Sequence, residues 1–200
     1  MNSSKLPRNF YLRSAIEVAK DLLGKSIVRV VNQKIISAKI VEVEAYKQIG
    51  DEASHSFKGI SKRNEVMFFE GGHFYVYFCY GIHYLCNVVT GKINDGAAVL
   101  IRGVEPIDGI DFMGQNRYRK DKLSQKEIIN LTNGPAKICN AFGFDKKFNG
   151  ADLLGDDIFI LDAERISESE IVTTSRIGIT KSLDLNRSEE HTSELQSRHN

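Results

Sequence analysis

Long apolar runs are missing from this 200-residue sequence. Nothing approaches the roughly 20 residues that cross a bilayer, and the first ten residues hold no apolar stretch of signal-peptide length. No membrane segment or secretory leader is expected, and the reading places the chain in the cytoplasm. Cysteine is scarce: Cys79, Cys86 and Cys139 are three in number and show no Cys-x-x-Cys spacing, which argues for free thiols rather than a disulfide or zinc framework. No other residues show metal-ligand spacing, so neither metal nor cofactor is expected. An excess of one charge is lacking too. With 27 Lys and Arg against 26 Asp and Glu, the net charge of +1 announces no nucleic-acid partner by itself, and any basic surface must come from local clustering. Repeats, linkers and low-complexity runs are also missing. An apolar content of 42% is ample for one packed core.

What the sequence does hold is concentrated in residues 71–89, where aromatics and two histidines lie between glycines. Aromatic and β-branched residues favour pleated surfaces, and Gly71-Gly72 and Tyr80-Gly81 punctuate the run, predicting two strands joined by a tight turn with Tyr80 at the tip. Period-2 alternation gives Tyr75, Tyr77 and Cys79 one face and Phe74, Val76 and Phe78 the other, so one face can pack a core while the other lines a pocket. That every ring is simply core is the competing reading.

The remaining elements follow in order. Residues 14–23 read as a short packing helix stopped by Gly24, and residues 26–31 and 34–43 as a hairpin around Asn32-Gln33. Continued extension would put Glu42 and Glu44 on the face of Ile36, Ala38 and Ile40. A polar loop, 47–64, carries His55 and a basic cluster of Lys58, Lys62 and Arg63. A buried strand over 97–102 ends in Arg102, for which Glu105 is the expected structural partner. Helices are expected over 107–116, after the capping box at Ser124, and from Pro135 to the stop at Gly143, with Lys137 near a helix start that can hold an anion. Short strands are expected over 158–161 and 171–179. From Arg187 onward the sequence loses all period and resembles a translated sequencing-library adapter. Residues 1–186 are therefore read as a single, C-terminally truncated domain, and 187–200 as a disordered artefactual tail that is set aside.

A strand-end carboxylate, its neighbour Tyr46, the loop residue His55 and the tyrosines at 77 and 80 suggest a water-activating acid beside a stacking pocket, suited to hydrolysis of something flat. Other readings stay open on pattern alone. Strand-end glutamates serve as surface charges, and loop histidines cap or pack. Glu42 and Glu44 could act as the acid and base of a carbohydrate hydrolase, or the tyrosines could stack bases in a non-catalytic nucleic-acid binding module.

The blocks Glu42-Val43-Glu44-Ala45-Tyr46, Ala53-Ser54-His55-Ser56, Arg63-Asn64, Gly72-His73-Phe74-Tyr75-Val76-Tyr77, Tyr80-Gly81, Asn87-Val88, Leu100-Ile101-Arg102 and Asn133-Gly134-Pro135-Ala136-Lys137 resemble the 3-methyladenine (alkyladenine) DNA glycosylase family. The likeness runs in order from residue 10 to about residue 185. It implies an α+β fold: a single mixed domain with a curved, mainly antiparallel sheet, a protruding β-hairpin and surrounding helices. It also implies a monofunctional hydrolase of base excision repair that flips alkylated or deaminated purines out of double-stranded DNA, works as a monomer and needs no cofactor. Residue by residue, it makes Glu44 the general base and places Arg102 near the water and a phosphate. Tyr46, His55 and Tyr77 would sandwich the base, Asn87 would screen its edge, and Tyr80 would fill the vacated stack. Phosphate contacts would fall to Arg63 and Lys137, and the backbone of Arg176-Ile177-Gly178 would help to hold the water.

Overall fold

Asn32 (φ 47°) and Gln33 (φ 65°) adopt the left-handed backbone that closes a two-residue hairpin, and the sheet grows outward from that turn. The computed structural model describes residues 4–79, 81–178, 181–182 and 184–191. In chain order the elements are α1 (Arg8–Tyr11), α2 (Ala15–Leu22), β1 (Ser26–Val31), β2 (Lys34–Tyr46), β3 (His73–Cys79), β4 (His83–Thr90), β5 (Ala97–Asp108), α3 (Ile110–Tyr118), α4 (Gln125–Ile129), α5 (Pro135–Phe142), β6 (Ala151–Asp152), β7 (Ile158–Leu161), β8 (Ile171–Ser175) and β9 (Asn186–His191). The strands form an antiparallel sheet in the order β6-β3-β4-β5-β2-β1-β7, with β9 joining β2 and β8 joining β9. This is the α+β architecture expected. Tyr80, expected at the tip of the β3–β4 hairpin, lies outside the described residues.

Local signals explain most helix ends. The Ser14 and Ser124 hydroxyls each accept from the backbone N–H three residues on, and their own backbone N–H groups donate to the side chains of Glu17 and Glu127, so α2 and α4 start at capping boxes. Pro135 opens α5 and Gly143 (φ 67°) closes it. The helix expected over 107–116 starts later, at Ile110, because β5 continues to Asp108 and Gly109 (φ 75°) makes the turn.

The sheet has two unlike faces. Phe74, Val76, Cys86, Val88, Val99 and Ile101 meet α2 and α5 in the main core, whereas Tyr75, Val89 and Ala98 face the other way, against Val66, Met67 and Phe68. On β2 the core face runs Ile36, Ala38, Ile40 and then Val43, Ala45. The ladder with β5 is irregular on both sides of Glu42, which pairs with Gly103 rather than Arg102. This local phase change corrects the expectation from simple alternation. Glu42 and Glu44 leave the face of Ile36, Ala38 and Ile40 and turn to the opposite side. Glu105 does not partner Arg102 either; it pairs at 2.7 Å with Lys39, across the same two strands.

A second correction concerns residues 187–191, which were expected to be disordered. They belong to β9, opposite Glu42, Val43 and Glu44 of β2. β1 and the Gly24-Lys25 backbone before it cover β2 only as far as Ile40, and the edge beyond offers N–H and C=O groups that a strand can satisfy through its backbone whatever its side chains. Among the described residues, no helix is long and apolar enough to cross a membrane.

The two-faced reading of β3 is checked by Phe74→Ala, which empties a fully buried site on the core face. A stability loss of about 3–5 kcal/mol in urea unfolding is expected; a loss under about 1 kcal/mol would contradict the assignment of that face.

Candidate active site

The polar face of the sheet carries a cleft of about 490 Å³, lined among others by Glu44, Tyr46, His55, Tyr77, Asn87 and Arg102. Six residues singled out in the sequence thus meet in one place, drawn from β2, the 47–64 loop, β3, β4 and β5. Three were not assigned there. Arg63 is exposed and donates to the Phe78 carbonyl at 3.3 Å. Lys137 donates to Asn133 at 2.6 Å, and of its helix it is Pro135 that reaches the cleft. Tyr80 falls outside the described residues.

Glu44 has no exposed surface, and each carboxylate oxygen is held. Oε1 accepts from the Ile177 backbone N–H at 2.7 Å and lies 3.3 Å from Arg102 Nη1, while Oε2 accepts from the Tyr46 hydroxyl at 2.8 Å. A carboxylate offers about four acceptor positions, so three donors leave room for one more, such as a water. Arg102 also donates through Nε to Glu42 Oε1 at 3.0 Å. Burial works against the guanidinium charge, but the Glu44 and Glu42 carboxylates outweigh it and hold the Arg102 pKa above its usual value. Glu42 does not line the cleft. An acid and base pair flanking a sugar, as the carbohydrate-hydrolase reading needs, is therefore not formed.

The walls are aromatic. Tyr75 and Tyr77 stack with centroids 5.3 Å apart, and His55 meets Tyr77 edge-on at 4.5 Å. His55 Nδ1 lies 3.2 Å from the Tyr75 hydroxyl. Burial raises the pKa of the phenols of Tyr46 and Tyr77, and pushes Tyr75 up to about 12. Burial, and after it the Arg63 guanidinium, lowers the pKa of the His55 imidazole. At neutral pH all four rings are therefore uncharged, and the tyrosine faces are electron-rich surfaces for a flat, positively charged guest. The Asn87 side-chain amide is oriented by donating to the Tyr75 carbonyl at 3.1 Å.

Sequence reading missed the support behind these walls. Asp51, fully buried, receives both Arg176 Nη1 and Nη2 at 2.8 Å, and Arg187 Nη1 at 2.9 Å. The Arg176 guanidinium also lies over the Tyr46 ring at 4.5 Å, so one ion pair fixes the loop before His55 and the back of Tyr46 together. The 176–178 segment is not strand, since β8 ends at Ser175, and its backbone reaches Glu44 directly. An acidic residue four positions before His55 was the available signal for Asp51; nothing near Arg176 in sequence named its partner.

The comparisons with known proteins agree with this geometry. The family model for methylpurine-DNA glycosylase matches residues 9–188. The chain belongs to that family. It is a DNA glycosylase, a hydrolase of DNA repair, with DNA as its partner, and not a binding module without chemistry. Among its relatives is a protein of Alkaliphilus oremlandii, 48% identical over 178 residues that make up 88% of each chain. Another, from Clostridium novyi, is 49% identical over 88% of this chain and 87% of its own. A third, from Carboxydothermus hydrogenoformans, is 49% identical over 90% and 91% respectively. All three bear, provisionally, the name 3-methyladenine DNA glycosylase.

The Asp51 cluster sets an acid limit on stability. Burial works against the ionised form, but Arg176, the Lys47 N–H and Arg187 outweigh it and hold the folded-state pKa below the ordinary value. The ion-pair contribution is thus fully present above the unfolded pKa of about 4 and is lost as pH falls through the lower, folded value. Asp51→Asn should cost about 3–5 kcal/mol at neutral pH, and its thermal midpoint should fall less on acidification than that of the native chain. Parallel acid unfolding curves for the two would contradict this.

Proposed function

We propose that this glycosylase releases alkylated or deaminated purines, of the 3-methyladenine, 7-methylguanine, hypoxanthine and ethenoadenine type, from duplex DNA by hydrolysis without strand cleavage. The observation that carries the reading is the carboxylate of Glu44, out of contact with solvent yet set in the wall of an aromatic cleft, with acceptor capacity left for one water. The damaged nucleotide swings out of the helix, at a cost of a few kcal/mol that is least at a damaged pair. Tyr46, His55 and Tyr77 hold the base. A cationic alkylpurine between tyrosine faces gains about 0.5–2 kcal/mol over its neutral counterpart, and its positive charge also makes it the better leaving group.

As the bond from C1′ to the base nitrogen breaks, its electron pair leaves with the base, and the water oxygen bonds to C1′. Glu44 takes the water proton. Arg102 holds that carboxylate in place and offers a cation towards the DNA backbone. Asn87, fixed by the Tyr75 carbonyl, tests the edge of the base, and Tyr80 follows the flipped nucleotide as a wedge in the minor groove. Arg63 and Lys137 supply phosphate contacts. No lysine Schiff base is required, so one carboxylate suffices. The protein acts as a monomer, in the cytoplasm where bacterial DNA lies.

Single-turnover release of free base from a duplex carrying one hypoxanthine or 7-methylguanine tests the reading. Glu44→Gln keeps the shape and loses the base, so release should fall by at least about a hundredfold while DNA binding persists. Undiminished release would remove Glu44 from the mechanism.

A further inference from the structure

Glu42 is explained neither by packing nor by the reaction as so far described. It is 7% exposed, lies outside the cleft, and is the second carboxylate on a single, largely covered guanidinium, a costly arrangement where one acid would satisfy the ion pair. The same two strands show the ordinary alternative close by, where Lys39 and Glu105 pair at 2.7 Å with side chains 31% and 50% exposed. The irregular ladder at Glu42 is also what brings Glu42, Glu44 and Arg102 to one side of the sheet.

We propose that Glu42 is a positioning residue for base release: its grip on Arg102 Nε aims Nη1 at Glu44, and its charge leaves the trio net negative. The proposal rests on the glycosylase mechanism above and deepens it. Positive charge builds on the sugar as the bond to the base breaks, and a fixed, dry, net negative group is matched to that charge and not to the neutral ground-state sugar. With one carboxylate gone, Arg102 would cancel Glu44 and the advantage would vanish. Among the described residues, the charged or titratable groups nearest Glu44 are Arg102 from β5, Glu42 and Tyr46 from β2, Tyr77 from β3 and Arg176 beyond β8, while Glu52, His55 and Lys181 line the same cleft. From β9, Ser188 stands opposite Glu44 and Glu190 opposite Glu42.

The test is single-turnover release from a duplex with one 7-methylguanine, followed from about pH 5 to 9, for the native chain, Glu42→Gln, Glu42→Asp and Glu105→Gln. Removing a neighbouring negative charge makes an anionic base easier to form. Glu42→Gln should therefore lower the plateau rate by about tenfold or more and move the acid limb of the profile to lower pH by about one unit. Glu42→Asp keeps the charge and should keep the limb in place with a smaller loss of rate. Glu105→Gln should match the native chain. A Glu42→Gln profile with native plateau and limb would overturn the proposal. So would equal losses in the Gln and Asp variants with the limb unmoved, which is what a merely structural role gives. Should the Gln variant fail to fold, a displaced limb in the Asp variant would overturn the proposal and a native limb would support it. Absence of release by the native chain itself would sink the glycosylase substrate reading instead, so the two failures are separable.

Discussion

A carboxylate without exposed surface is tolerable only where donors replace its water, and in this protein that requirement joins three separate stretches of the chain. Glu44 sits on β2; its donors come from Arg102 on β5, from Tyr46, and from the backbone of Ile177, which is 133 residues away. Arg102 needs Glu42 in turn, and the segment bearing Ile177 is pinned by the Arg176 pair with Asp51, whose loop continues to His55. The Tyr46 ring, the acid and the loop are thus one connected polar network. Such networks hold one geometry when every member is satisfied and are costly when one is not.

The sheet makes the network possible by keeping its faces apart. Phe74 and Val76 are anchored against the helices, which leaves Tyr75 and Tyr77 free to form a wall. The phase change around Glu42 then moves both acids from the apolar to the polar side within a single strand. Without it, alternation from Ile36 would have aimed Glu42 and Glu44 into the main core, where no comparable set of donors waits. The irregularity is a design feature of the site rather than a flaw in the ladder.

Much of this was legible in the sequence. Alternation assigned Tyr75, Tyr77 and Cys79 to one side of β3, and caps, Pro135 and Gly143 marked helix ends, because those signals are local. The resemblance of ordered blocks gathered the cleft residues before any geometry was known. The phase change was harder to see. Lys39-Ile40-Val41 are all compatible with a regular strand, and the one hint was Gly103, a lone glycine inside the partner strand. The Arg176 pair with Asp51 was invisible because a salt bridge between residues 125 apart leaves no spacing to read. The pairing of residues 187–191 with β2 runs through the backbone, which a side-chain pattern does not display.

The central claim is that a buried, net negative group faces a sugar that becomes positive. Its most direct measurement is the affinity for duplex DNA bearing a cationic pyrrolidine abasic-site analogue, set against the same duplex with a neutral tetrahydrofuran site. The account predicts that the native chain prefers the cation by about a hundredfold or more, as transition-state mimics are preferred, and that Glu44→Gln loses most of that preference. Equal affinity of the native chain for the two duplexes would contradict it.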